Sequence, residues 1–299
     1  MPAPTTTMCL PDGRQLAADD VGDPAGETLV YLHGATDCRL ARHPDDSLAT
    51  GLGVRLVALD RPGYGWSDPL PAGGAFAGLV EFAGDLACLL DHLGVEACRL
   101  LAWSAGAPWA LAAASTLGPR VAGVTLFGAV PALDALDDQD VAAAAKGRAD
   151  LAADIASGAV ALADLAAALA PPPPIPLELA LDHVAESVGG RSLEELGAVP
   201  GAIDALASSL VDAVARHGTA GLEADLALQY TRIPDAGAAA LLLGAACPVR
   251  LVHGEHDAVG PRAGGRWFAE RLRRATIEIW ADAGHHALFP RWADLLTTT

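Results

Sequence analysis

The chain has 299 residues, which fits one large domain or one domain with an inserted subdomain, and 52% of them are hydrophobic, enough for a sizeable core. Its 37 acidic residues against 19 basic give a formal charge of -18. A surface of that sign repels phosphate backbones and anionic lipid headgroups, so nucleic acid and membranes are disfavoured as partners, and much of the charge is read as a solvated coat.

The first residues, Met1 to Leu16, lack a basic start followed by an apolar run, so no signal peptide is expected. Thr7 to Leu10 and Gln15 to Asp19 flank the turn sequence Pro11-Asp12-Gly13 and predict an opening hairpin. Thr28 to Leu32 and Val54 to Leu59 are compact apolar strands. Phe76 to Leu93 carries apolar residues at helical spacing and stops at Gly94. Ala97 to Trp103 predicts a third buried strand, Ala107 to Leu117 a helix and Val121 to Phe127 a fourth strand. Short apolar strands separated by helices imply parallel pairing with right-handed crossovers.

From Pro131 to Arg232 the chain turns rich in Ala, Leu and Asp, with no convincing strand. This predicts an all-helical insertion, residues 131–232, between core segments 1–130 and 233–299. It is interrupted by the proline run Pro171 to Pro176, read as a stiff connector, and by Gly189-Gly190. Val160 to Ala170 is too short, and too broken by Asp164, to span a bilayer. The alternation then resumes: a strand at Val249 to Val252, a helix at Ala263 to Arg273, a strand at Ile277 to Trp280 and a closing helix at Ala287 to Leu296. The five cysteines are odd in number and form no C-x-x-C pair, which argues against a disulfide framework or a zinc site and for reduced thiols in a cytoplasmic protein.

Four short motifs carry chemistry, each directly after a predicted strand. Leu101-Ala102-Trp103-Ser104-Ala105-Gly106 has the small-x-Ser-x-small form of a nucleophile elbow, with Ala102 where the usual pattern has glycine. The turn raises the Ser104 hydroxyl above the sheet and sets the Ala105 N–H at a helix start, where it can stabilise an oxyanion. His33-Gly34-Ala35-Thr36 can bring the Ala35 N–H beside it as a second donor. In Gly254-Glu255-His256-Asp257, Asp257 lies at a strand's carboxyl end, where a buried carboxylate can fix a histidine's tautomer, while Glu255 and His256 are read as turn or surface residues. In Gly284-His285-His286, His285 follows the glycine that frees the loop and is taken as the base, with His286 as the alternative. Trp103 and Trp109 flank the elbow, and Trp103 is a candidate pocket residue with core packing as its alternative.

These motifs, in this order and together with Asp60-Arg61-Pro62-Gly63-Tyr64-Gly65-Trp66-Ser67-Asp68-Pro69, resemble the α/β-hydrolase fold over nearly the whole chain. The resemblance implies a mostly parallel sheet of eight strands flanked by helices, with a helical cap after the sixth, and a structural role for Asp60 to Pro69. It implies a serine hydrolase that cleaves a carboxylic ester, lactone or thioester of a small-molecule substrate, with Ser104 as nucleophile, His285 as base and Asp257 as its orienting acid. Ala35 and Ala105 would form the oxyanion hole, with no metal or other cofactor. The rival reactions on the same residues are C–C hydrolysis, lyase chemistry, cofactor-free haloperoxidation and acyl transfer or cyclisation. A ligand receptor without turnover is a further alternative, and an aminopeptidase would need cap carboxylates such as Glu178, Glu186, Glu194 and Glu195, most of them read as solvated. Epoxide hydrolases and dehalogenases of this fold carry Asp where this chain has Ser104. The sequence leaves the oligomeric state open.

Overall fold

The computed structural model describes residues 2–71, 75–130, 142–260 and 262–297. The strands are β1 (Thr6–Cys9), β2 (Gln15–Gly22), β3 (Glu27–Leu32), β4 (Val54–Leu59), β5 (Cys98–Trp103), β6 (Val121–Phe127), β7 (Val249–Gly254) and β8 (Ala275–Trp280). They form one sheet in the order β1-β2-β4-β3-β5-β6-β7-β8. Pairing is antiparallel for β1 with β2 and β2 with β4, and parallel from β4 through β8. All six residues of β5 are buried, as expected for a central parallel strand covered on both faces.

The helices in the first half are α1 (Ser47–Gly51), α2 (Ala75–His92) and α3 (Ala107–Leu117). Between β6 and β7 come α4 (Ala142–Ser157), α5 (Leu162–Leu169), α6 (Leu177–Ser187), α7 (Gly190–Gly197), α8 (Ala202–Ala215), α9 (Ala220–Tyr230) and α10 (Ala236–Leu243). The chain ends with α11 (Arg262–Arg271) and α12 (Trp292–Thr297). The described part of the expected insertion is helical throughout, and the proline run falls between α5 and α6. Its first residues, 131–141, lie outside the described residues, as does Pro261. Among the described residues no single helix is long and apolar enough to cross a membrane.

The structure differs from expectation in three places. The closing helix starts at Trp292 rather than Ala287, because Pro290 has no N–H to donate to the carbonyl four residues before it and so interrupts the helical ladder. Helices α1 and α10 have no counterpart in the sequence reading, and α10 packs on α3. The acidic coat is partly internal: Asp212 of α8 and Asp225 of α9 are buried.

Both of these carboxylates meet buried arginines from loops at the sheet's carboxyl edge. Arg39 Nη1 donates to Asp212 at 2.6 Å and to Asp60 at 3.0 Å. Arg61 forks onto Asp225 at 2.5 and 2.8 Å, and the same carboxylate accepts from the Tyr64 hydroxyl and from Trp109 Nε1. These ion pairs join α8 and α9 to the sheet, beside an apolar cluster in which Leu206, Leu210, Leu222 and Leu226 share a core with Tyr31, Phe127 and Trp292. Removing one member of a wholly buried pair strands the other charge. Asp225→Asn is therefore expected to lower unfolding free energy by about 3–5 kcal/mol, read from the midpoint of urea denaturation.

Candidate active site

The parallel strands β3 to β8 run so that their carboxyl ends deliver the loops of one edge. β5 ends at Trp103, and a 3₁₀ turn, Ser104–Gly106, leads into α3. Ser104 has φ 54°, in the left-handed region that costs a non-glycine residue roughly 1 kcal/mol or more. The turn is held by close packing against β3: a Cβ on Gly106 would come within 2.6 Å of the Leu32 carbonyl oxygen. Ala102, fully buried and paired with Leu32 and Leu126, fits where the elbow pattern has glycine. Ala105 follows Ser104 in the turn and is buried.

The loop after β3 is fixed by Arg61. Its guanidinium donates to the carbonyls of His33 at 3.0 Å and Gly34 at 2.8 Å, while its N–H donates to His33 Nε2 at 3.1 Å. His33 therefore carries its proton on Nδ1, facing the Gly34 carbonyl at 2.8 Å. Burial and the Arg61 charge hold this imidazole well below its usual pKa, hence neutral. His33 and the Asp60 to Pro69 motif are thus scaffolding that shapes the Ala35 segment.

Asp257 and His285 meet across the ends of β7 and β8. His285 Nδ1 lies 2.8 Å from Asp257 Oδ2, and both residues are buried. The other carboxylate oxygen accepts from the N–H groups of Val259 and Gly260 at 2.9 and 2.8 Å. Gly128, after β6, has φ 57°, and a Cβ there would stand 2.9 Å from Asp257 Oδ2 and 3.0 Å from His285 Nδ1. Only glycine suits that conformation and leaves room for the pair. Trp103 Nε1 donates to the His285 carbonyl at 3.1 Å. His286, the alternative base, has its Nδ1 buried without a partner, and burial drives its pKa down to about 3.

A carboxylate that sequence reasoning missed secures this loop. Glu195 of α7 accepts from the Gly284 N–H at 2.5 Å and the His286 N–H at 3.2 Å, bracketing His285. Glu195 is buried, not solvated as expected, whereas Glu178, Glu186 and Glu194 are exposed. Gly284 does not take a left-handed conformation. Its role is space, since a Cβ there would lie 3.1 Å from Glu195 Oε2.

Ser104, His285, Trp103 and Ala35 share a cavity of about 250 Å³ with residues of α6 and α8, among them Val184 and Leu206. Asp37 also lines it, held by a 3.3 Å hydrogen bond from the Ser209 hydroxyl of α8. Burial raises the Asp37 carboxyl to about 7. Among the described residues no cluster of His, Cys, Asp and Glu has the arrangement of a metal site. Glu255 and His256 are exposed turn residues, as the sequence suggested, and Trp109 is buried in the core.

Comparison with known proteins places these elements in a wider setting. Residues 27–159 match the family model described as alpha/beta hydrolase fold. The chain is 36% identical over 119 residues to the 2-hydroxy-6-oxononadienedioate/2-hydroxy-6-oxononatrienedioate hydrolase 2 of Pseudomonas putida, covering 38% of this chain and 40% of that one. It is 36% identical over 108 residues to epoxide hydrolase B of Mycobacterium tuberculosis, covering 36% of this chain and 30% of that one. The chain thus spans less than half the length of these curated relatives. Among solved structures it is similar to a hydrolase from Pseudomonas aeruginosa PA01, with TM-score 0.65 and 20% identity over 97% of this chain and 96% of that one. It is also similar to an esterase from Rhodococcus sp., with TM-score 0.59 and 22% identity over 96% and 94%.

The Asp37 environment yields a test by pH. A carboxyl whose pKa rises from 3.8 to about 7 on folding binds its proton more tightly in the folded state. That stability is present below the unfolded value and is lost as the pH climbs through the folded one. Asp37→Asn removes the penalty of burying the charge. Thermal melts should show the variant gaining on wild type by roughly 2–4 kcal/mol between about pH 4 and pH 8.

Proposed function

Taking as premise that the chain is an α/β-hydrolase-fold protein, we propose that it is a serine hydrolase cleaving a carboxylic ester, lactone or thioester through an acyl-enzyme on Ser104. The observation that carries this reading is Ser104, held at φ 54° on its strand–helix turn, sharing one cavity with a histidine whose Nδ1 is bonded to a buried carboxylate. With the Nδ1–H donating its hydrogen bond to Asp257, His285 Nε2 is free to accept a proton. It takes the Ser104 proton as Oγ bonds to the carbonyl carbon, and the N–H groups of Ala35 and Ala105 receive the oxyanion. Collapse breaks the bond to the alcohol or thiol, which leaves with the proton from His285. Water, deprotonated by the same nitrogen, then releases the acid and restores Ser104.

The helices from α4 to α9 act as a cap in this reading. Val184, Val188, Leu206 and Leu210 give the roof an apolar surface, and about 250 Å³ suits a small to medium acyl group. Five free cysteines accord with a reducing, cytoplasmic setting. A second reading keeps Ser104 but changes the bond broken, and the similarity to the Pseudomonas putida hydrolase favours it as the alternative. Epoxide opening through an aspartyl ester is disfavoured, since Ser104 stands where that chemistry needs Asp.

The test is a panel of p-nitrophenyl esters of graded acyl length. Wild type should turn over the short ones, and Ser104→Ala should lose roughly 10⁴-fold or more in kcat. A fluorophosphonate should label wild type and not the variant. Equal labelling of both would sink the nucleophile, while labelling without ester turnover would favour the second reading. Glu195 is a positioning residue for His285: Glu195→Ala should lower kcat roughly 10–100-fold with little change in KM, and Glu195→Gln should recover part of it.

A further inference from the structure

Buried carboxyl groups in this protein follow a pattern with one exception. Among the described residues Asp19, Asp60, Asp85, Asp212 and Asp225 each lie within 3.2 Å of an arginine nitrogen, Asp257 has His285, and Glu195 has Arg191 at 3.8 Å. Asp37 is equally buried, and among the described residues its one hydrogen-bond partner is the Ser209 hydroxyl, itself engaged with the Cys38 N–H at 2.7 Å. The nearby cation, Arg61, is committed to Asp225 and to the carbonyls of His33 and Gly34. A buried charge without a partner is strongly disfavoured, so such a carboxyl either keeps a proton or awaits a cation.

The exception is also the one carboxyl among the described residues that lines the cavity with Ser104. One point beside Gly34, where a Cβ would stand, is 3.3 Å from Ser104 Cβ and 3.5 Å from Asp37 Oδ2. A carbonyl presented to Ser104 would therefore bring its neighbouring substituents to Asp37. The rest of the wall offers apolar side chains such as Val184, Leu206 and Leu210, the hydroxyls of Thr36 and Ser187, and imidazoles of which burial holds His286 neutral, with no lysine or arginine among them.

We propose that Asp37 is a substrate-recognition residue that pairs with a protonated amine lying within a few bonds of the scissile carbonyl, so that the enzyme acts on amino-substituted acyl compounds. The proposal rests on the serine-hydrolase reading and narrows its substrate class. The ammonium supplies the cation that the protein withholds, and the Ser209 hydroxyl keeps one carboxylate oxygen turned while the other faces the ligand. A neutral substrate of the same shape would gain no ion pair.

Wild type, Asp37→Asn, Asp37→Ser and Ser104→Ala are titrated calorimetrically with n-pentylammonium and with 1-pentanol at about pH 8, above the value of about 7 that burial gives Asp37. Wild type and Ser104→Ala should bind the ammonium at least about tenfold tighter than the alcohol, and both Asp37 variants should bind the two alike. Equal binding in wild type, or a preference that survives in the Asp37 variants, overturns the proposal. An alkyl fluorophosphonate is applied to the same samples. Ser104 labelled without an ammonium preference defeats Asp37 alone. An ammonium preference without labelling supports Asp37 and defeats the nucleophile.

Discussion

A buried guanidinium organises this molecule. Arg61 holds the carbonyls of His33 and Gly34 with one side of its fork and the Asp225 carboxylate with the other. The planar, permanently charged group suits this task, because it meets fixed acceptors in fixed directions without loss of its charge. The loop after β3 is thereby held at the two carbonyls that precede Ala35. The same side chain ties that loop to α9, so the helices between β6 and β7 and the sheet edge are set against each other by one set of contacts. Arg39, shared among Asp19, Asp60 and Asp212, repeats the device toward α8.

The second constraint is steric. The Asp257–His285 pair sits in space that exists only because Gly128 has no side chain. The histidine's loop is then gripped from both sides: Trp103 from the elbow donates to the His285 carbonyl, and Glu195 from α7 accepts the two neighbouring N–H groups. Elbow, acid loop, histidine loop and helical segment thus converge on one imidazole. Such support from several directions holds the imidazole in one orientation.

What the sequence discloses, and what it hides, follows from the range of the forces involved. The elbow at Ser104 was legible because a strained turn between strand and helix demands small residues at fixed offsets, and Ala102 and Gly106 meet that demand. His33-Gly34, Asp257 and Gly284-His285 were legible for the same local reason, each one following a strand. Parallel pairing was legible in the alternation of strands and helices, and it holds from β4 through β8, whereas the order of the strands in the sheet was not read from the sequence. Glu195, Asp225 and Asp37 were hidden because their roles depend on partners far away in the chain: Arg61 and Asp225 are 164 residues apart, and Glu195 meets Gly284 across 89. No spacing rule announces such a pair, and a carboxylate in an acidic chain defaults to a solvated reading. Helix α1, at five residues, is too short for a periodicity to register, and Pro290 was a stop signal passed over within an apolar run.

The account comes to one geometric claim, that a single reacting centre lies between the elbow, the two backbone donors and the imidazole. A crystal structure of the protein after reaction with diethyl p-nitrophenyl phosphate tests it most directly. The account predicts phosphorus bonded to Ser104 Oγ, its phosphoryl oxygen about 2.7–3.1 Å from the Ala35 and Ala105 nitrogens, and His285 Nε2 turned toward Oγ. Phosphorus on another residue, or a phosphoryl oxygen pointing away from both backbone donors, would contradict it.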